Sequence, residues 1–361
     1  MPTNIMGWDI GGAHLKAAVI RPPSEIVAVF QHPCQLWKGI EKLHQAVQDI
    51  LAEMDMPITP HVLTMTGELV DCFDGRDDGV KKILKAMEWL LPIGEVIVYA
   101  GKDGLLKMGE IQPSHYPNIA SANWLASASW AARRVGNGLF VDIGSTTTDI
   151  LLLDDGKVLA QGYTDYERLV SQELVYTGIV RTAVMAVAQS IIDEGKEVGL
   201  MAEYFATMAD VYRLTGELNE SHDQTDTADG AEKTVAASAK RLARMIGCDY
   251  AVDELPRWEQ FAANLRSQQL ARIQNACERQ MNRSPLPKNA PVIGAGVGRF
   301  LVKQLAQNLD RPYLDYSELF SVGASRNCVL TTADCAAAVA VACLEGESML
   351  QGINKIEEFW K

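Results

Sequence analysis

No run of apolar residues in this chain of 361 reaches the roughly 18 positions a membrane-spanning helix needs. The N-terminus, Met1-Pro2-Thr3-Asn4, has neither the basic nor the apolar region of a signal peptide, so a cytoplasmic location is expected. Positive charge is in deficit. There are 33 Lys and Arg against 46 Asp and Glu, a formal net charge of −13, and long-range repulsion excludes nucleic acid and anionic membrane surfaces as expected partners. No CxxC pair occurs among the seven cysteines. Cys34, Cys72, Cys248 and Cys277 stand far apart. Cys328, Cys335 and Cys343 lie in an Ala-rich apolar stretch without His at ligand spacing, so all seven read as reduced core residues and not as metal ligands.

What the chain does have is an ordinary globular composition, 48% hydrophobic and 22% charged, and a length that implies about two domains. It also contains a near-repeat. Asp9-Ile10-Gly11 and Asp142-Ile143-Gly144 share one core, each bracketed by apolar runs, and both segments read as strand, turn, strand. Asp-x-Gly alone is good hairpin chemistry, but two copies favour a ligand. Gly11, Gly12 and Gly144 would let backbone N–H groups approach phosphate oxygens, and Ser145, Thr146 and Thr147 add hydroxyl donors. Asp9 and Asp142 would repel a bare phosphate and make sense as ligands of a bridging Mg²⁺. The two loops are expected to face one cleft.

A third segment, Val292-Ile293-Gly294-Ala295-Gly296-Val297-Gly298 followed by Arg299 to Leu305, reads as a short buried strand, a tight turn and a helix. Its GxGxG spacing and its late position set it apart from a dinucleotide fingerprint.

Phosphate loop, second phosphate loop, then Gly-rich strand-to-helix turn is the order found in the superfamily of sugar kinases, Hsp70 ATPases and actin, which this sequence resembles. More narrowly, Thr64-Met65-Thr66-Gly67-Glu68-Leu69 and Glu173-Leu174-Val175-Tyr176-Thr177-Gly178-Ile179-Val180-Arg181-Thr182 resemble the hydantoinase/oxoprolinase-related branch of tetrahydromethanopterin-linked one-carbon transfer proteins. Archaeal members of that branch include a furanylmethanamine synthase of methanofuran biosynthesis. The resemblance therefore implies a transferase that joins an aminomethylfuran-methyl diphosphate to the phenol of γ-glutamyltyramine. One departure is visible. Where archaeal relatives have Asn-Thr-Lys after the glycines, this chain has His14-Leu15-Lys16, which leaves open a methylofuran-type acceptor with tyrosine in place of tyramine.

The expected architecture is α/β: two ribonuclease-H-like lobes around a phosphate-binding cleft, residues 1–135 and 136–361, with a helical region at about 171–282. Periodicity places helices at 40–53, 81–91, 120–134, and from Phe300 and Thr332, with strands at 61–66, 96–100 and 312–316. The polar stretch 220–229 reads as a connector before a metal or substrate loop.

In the implied chemistry the loops stabilise charge on a departing diphosphate, with Mg²⁺ on Asp9 and Asp142 and with Lys16 or Arg181 as complement. Glu68 is the expected base for the phenol, Asp71 the second choice; a carboxylate at a helix N-terminus is the competing reading of Glu68. Arg181 is expected in an apolar helix, as a phosphate contact or half of a buried ion pair. Tyr176 is a stacking surface or core. The Gly294, Gly296 and Gly298 turn would meet a nucleotide or substrate, and ATP is a possible cofactor. The same loops would also serve an ATP-dependent small-molecule kinase, an ATP-dependent amide hydrolase, or a nucleotide-gated regulator.

Overall fold

The computed structural model describes residues 4–54, 58–91, 95–322 and 330–359. The chain divides into two compact units, one of Met1–Asn137, Leu153–Glu167 and Asp315–Lys361, the other of Gly138–Leu152 and Arg168–Leu314.

In the first unit, β1 (Asn4–Ile10), β2 (His14–Arg21) and β3 (Glu25–Pro33) form an antiparallel meander. To it β4 (Ile58–Met65) and β5 (Val96–Tyr99) add in parallel, and β6 (Leu105–Lys107) closes one edge. With β15 (Ser321–Val322) the sheet has seven strands in the order β15-β3-β2-β1-β4-β5-β6. Both faces of its centre are covered, which is why β1 and β2 are nearly continuous apolar runs. Met6, Trp8 and Ile10 pack with Leu43, Val47 and Ile50 of α1 (Glu41–Ala52) and with Val80, Ile83 and Met87 of α2 (Arg76–Leu90).

Against β1, β2 and β4 also lies α10 (Ala336–Phe359), whose small buried side chains from Ala336 to Ala342 let it come close. A short helix α3 (Tyr116–Ile119) precedes α4 (Asn123–Val135), which buries Trp124 and Trp130. Residues 315–361 thus cluster with the first unit and not with the second lobe expected from the sequence. The fit of α10 against the central strands is the physical reason.

The second unit contains β7 (Gly138–Ile143), most of β8 (Thr148–Asp154), β10 (Leu174–Val175), β13 (Val292–Ala295) and most of β14 (Tyr313–Asp315), in the order β10-β8-β7-β13-β14. The end of β8 pairs with β9 (Lys157–Val158), and α5 (Asp165–Ser171) follows. The region expected to be helical holds α6 (Met208–Leu214), α7 (Val235–Arg244) and the long α8 (Leu255–Met281). It also holds a hairpin, β11 (Ser190–Asp193) with β12 (Lys196–Gly199), turning through Glu194 and Gly195 at φ 46° and 78°. Two positive φ values make a hairpin turn matched to strand twist. Finally α9 (Arg299–Asn308) packs on β13 and β7.

The 220–229 stretch is more than a solvated connector. Arg213 is buried against Glu220 and Asp223, and buried Arg241 holds Asp210 and Asp229. Buried charges of this kind persist only when paired.

Cys34, Cys277, Cys335 and Cys343 are buried free thiols as expected, and burial pushes the Cys34 thiol up to about 12. Cys72 is exposed and donates to the Leu36 carbonyl, so it is a surface residue and not a core one. Cys328 lies outside the described residues. Among the described residues no helix is long and apolar enough to cross a membrane, and no group of three or more His, Cys, Asp or Glu is placed to hold a metal ion.

Candidate functional site

The proposed site residues fall into two groups, one in each unit. In the second unit the turn between β7 and β8 carries Asp142, Gly144, Ser145, Thr146 and Thr147. The segment 177–182 straps it: Ile179 N donates to the Gly144 carbonyl at 3.0 Å, Val180 N and Arg181 N to the Ser145 carbonyl at 3.0 and 2.9 Å, and Thr182 Oγ1 to the Thr146 carbonyl at 3.4 Å. A trans peptide points its C=O and the next N–H in opposite directions. Carbonyls drawn inward at 144, 145 and 146 therefore turn the N–H groups of Ser145, Thr146 and Thr147 outward. Successive backbone amides turned this way are suited to an anion.

Arg181 Nη1 donates to Thr146 Oγ1 at 3.3 Å. Residues 177–182 are irregular, not the apolar helix expected around Arg181, because their amides serve the loop carbonyls. The strap is itself held from below by buried Gln269 on α8, which donates to Thr177 Oγ1 at 2.7 Å and the Gly178 carbonyl at 2.9 Å and accepts from Tyr212. Tyr176, at the start of the strap, is exposed and so is not core.

The Gly294, Gly296 and Gly298 turn belongs to the same unit. Gly298 N donates to the Ile143 carbonyl at 2.8 Å, fixing the turn against the end of β7. Gly296 has φ 78°, and a Cβ there would overlap Asp142 Oδ1 and the Ile143 carbonyl. At Gly294 a Cβ would meet the Tyr313 ring and at Gly298 the side chains of Ile143 and Ile179. Contacts within the protein thus require glycine at all three positions.

In the first unit Asp9 closes β1 and is buried. Asn123 Nδ2 lies 3.4 Å from its Oδ1, and Lys16 is its directly opposed partner on β2. Lys16 Nζ donates to the Asp334 carbonyl at 2.7 Å, so its charge is anchored at the start of α10. Gly11 and Gly12 follow, with the Gly12 carbonyl taken by Leu36 N at 2.9 Å and the Ile10 carbonyl by Thr66 N and Gly67 N at 3.0 Å each.

The second of those bonds brings Glu68 to the same corner. Glu68 has no exposed surface; its Oε1 accepts from Ser121 Oγ at 2.7 Å, while its Oε2 has no hydrogen-bond partner. Burial pushes its carboxyl above the usual range, opposed by the Ser121 hydrogen bond and by Arg76. It lies eight residues before α2 in sequence, yet its backbone packs against Gly79 in that helix's first turn, where a carboxylate also meets the favourable end of the helix dipole. Asp71 is exposed. Arg76, Ser121, Asn123 and Asp165 were not foreseen: none belongs to a local motif, and they meet Glu68 and Asp9 only through folding.

Two mixed sheets, each bearing an Asp-Ile-Gly turn, with a Gly-rich strand-to-helix turn in the second, make up the α/β fold. A nucleotide-free acetone carboxylase has a similar fold, with TM-score 0.57 and 11% identity over 95% of this chain and 70% of that one. The Hydantoinase/oxoprolinase family model matches residues 60–322, and the chain belongs to that family. A (4-{4-[2-(gamma-L-glutamylamino)ethyl]phenoxymethyl}furan-2-yl)methanamine synthase from Methanocaldococcus jannaschii is 33% identical over 250 residues, 69% of this chain and 73% of that protein. The enzyme of the same name from Methanococcus vannielii is 34% identical over 113 residues, 31% of this chain and 50% of that one.

Proposed function

We propose that the protein is a transferase of methanofuran-type cofactor biosynthesis. It condenses an aminomethylfuran-methyl diphosphate with the phenol of a γ-glutamyl-tyramine or γ-glutamyl-tyrosine unit and releases pyrophosphate. The observation that carries this reading is Glu68: a carboxyl enclosed beside the first Asp-Ile-Gly turn, with one oxygen unpartnered and its proton affinity raised by burial. A phenol titrates near pH 10 and needs such a proton acceptor at neutral pH. Similarity to the archaeal synthases supports the same chemistry.

The carbon–oxygen bond to diphosphate breaks at a furfuryl carbon, whose developing positive charge the furan oxygen stabilises. Negative charge accumulates on the departing diphosphate. The outward amides of Ser145, Thr146 and Thr147, and Arg181 beside Thr146, are donors fixed in place before the reaction and so lower its barrier electrostatically. Lys16, opposite Asp9 in strand register, holds its ammonium on the Asp334 carbonyl.

Mg²⁺ on a diphosphate is held mostly by phosphate oxygens and water, with one or two protein carboxylates. Each turn offers one such carboxylate, Asp9 or Asp142. Mg²⁺ would supply neutralisation of the leaving group's charge. ATP is not required by this reading, because the diphosphate donor is already activated.

The test is mass spectrometry of the purified protein with Mg²⁺, the furan diphosphate and each acceptor, with and without ATP. Ether and pyrophosphate are expected without ATP. Absence of ether together with ATP consumption on addition of cell-extract metabolites would overturn the transferase and favour a kinase or an ATP-dependent amide hydrolase.

A further inference from the structure

A carboxylate without exposed surface cannot meet a substrate hydroxyl directly. The side chains around Glu68 offer a route. Ser121 Oγ donates to Glu68 Oε1 at 2.7 Å and lies 3.4 Å from Asp165 Oδ2, which also accepts from Arg76 Nη2 at 2.7 Å. Asp165 is partly exposed, Ser121 and Glu68 are buried. The charged groups that face Glu68 are Arg76 of α2, 3.9 Å from its Oε1, and Asp165 at the start of α5.

One hydroxyl between two carboxylates has a single proton to donate. With Glu68 ionised, Ser121 donates to it. With Glu68 protonated, Glu68 donates to Ser121 and Ser121 to Asp165. Passing between these arrangements moves one proton across the cluster. The unpartnered Oε2 points the same way, because an ionised, wholly buried carboxylate leaves lone pairs unsatisfied and protonation relieves that. Ser121 is moreover held at φ 50°, a left-handed conformation that a serine keeps only where its surroundings impose it. Two residues on, Asn123 reaches Asp9, so this one bend serves both carboxylates.

We propose that Ser121 is a proton-relay residue that carries the acceptor's proton from Asp165, at the unit's surface, to Glu68 inside it. The proposal rests on the transferase reading. The phenol O–H bond breaks and its proton passes to Asp165. Asp165 gives a proton to Ser121 Oγ as Ser121 gives its own to Glu68. The phenolate oxygen bonds to the furfuryl carbon, and the electron pair of the breaking carbon–oxygen bond leaves with pyrophosphate. The transfer ends on Glu68 because its burial favours the protonated carboxyl, while Asp165 stays partly exposed and paired with Arg76.

The experiment compares kcat from pH 6 to 10 for wild type, Ser121→Ala and Ser121→Gly. Glycine accepts the left-handed conformation, so Ser121→Gly folds even where Ser121→Ala is strained, yet both lack the hydroxyl. Both should lose about 100-fold at pH 7, within the usual range for acid–base catalysis, and approach wild type as the phenol ionises near pH 10. A Ser121→Gly enzyme equal to wild type at pH 7, or a loss of equal size at every pH, overturns the relay.

Ether formation by wild type separately controls the transferase reading. Independently of turnover, the infrared band of a protonated carboxyl that Glu68→Gln removes should titrate at higher pH in Ser121→Gly than in wild type, because a donor to the ionised form is gone. An unchanged titration also overturns the relay.

Discussion

Replacing Gly296 by alanine tests whether the turn after β13 sets the position of Asp142. Two costs are separable. The left-handed φ of 78° costs a non-glycine residue about 1–2 kcal/mol. The added methyl overlaps Asp142 Oδ1, which can swing away, and the Ile143 carbonyl, which cannot because it already accepts from Gly298 N at 2.8 Å. Overpacking against fixed backbone costs about 1–3 kcal/mol more. The sum is about 2–5 kcal/mol, a large share of a typical domain's 5–15 kcal/mol or so.

Gly230→Ala is the control: it has φ 66° and nothing within 4 Å of the new methyl, so it carries the dihedral cost alone. Urea unfolding of both variants, with calorimetric binding of Mg²⁺–pyrophosphate, reads the two effects. Gly296→Ala should be less stable than Gly230→Ala by about 1–3 kcal/mol and should bind pyrophosphate more weakly, while Gly230→Ala binds as wild type. Equal losses of stability would refute the packing argument; normal pyrophosphate binding by Gly296→Ala would detach the turn from the phosphate loop.

Trp8 Nε1 lies 3.2 Å from His61 Nδ1, and burial lowers the His61 imidazole to about 4 from about 6.5. The folded state therefore favours neutral His61, so its contribution is intact above about pH 6.5 and is lost as pH falls toward 4. Wild type should lose about 2 kcal/mol more than His61→Asn between pH 7 and 5 in urea unfolding, and parallel pH profiles would rule this out. Gln269→Leu leaves Tyr212, Thr177 and Gly178 without their buried partner; at about 1–3 kcal/mol per orphaned group it should lower the unfolding midpoint and weaken pyrophosphate binding, and an unchanged affinity would show that the strap stands without Gln269. Asp142→Asn should abolish Mg²⁺-dependent turnover while leaving circular dichroism and melting intact, and an active variant would remove Asp142 from the mechanism.

Local chemistry made much of this legible. Asp-Ile-Gly between apolar runs located both turns, and Gly294 to Gly298 the third, because strand, turn and helix signals span only a few residues. The partners of those turns were not legible. Ser121 lies 53 residues from Glu68 and Asn123 114 from Asp9, and no periodicity connects them. The 177–182 strap was visible as a family motif, but its apolar residues imitate a helix, and only the loop carbonyls it serves explain why it is irregular. α10 was legible as a helix; its unit was not, since a run of alanines does not name the strands it covers.

That helix has a consequence for synthesis. β1 to β6 leave the ribosome well before α10, separated from it by the whole second unit. At about 5–20 residues per second, the roughly 230 residues between Lys107 and Ala336 take about 10–45 s. During that interval the central strands of the first unit have one apolar face uncovered, while the residues of the second unit are complete by Leu314 and free to fold. The unit made first is therefore the unit finished last, and the nascent chain is most exposed to mispairing and to chaperone binding through β1 and β2.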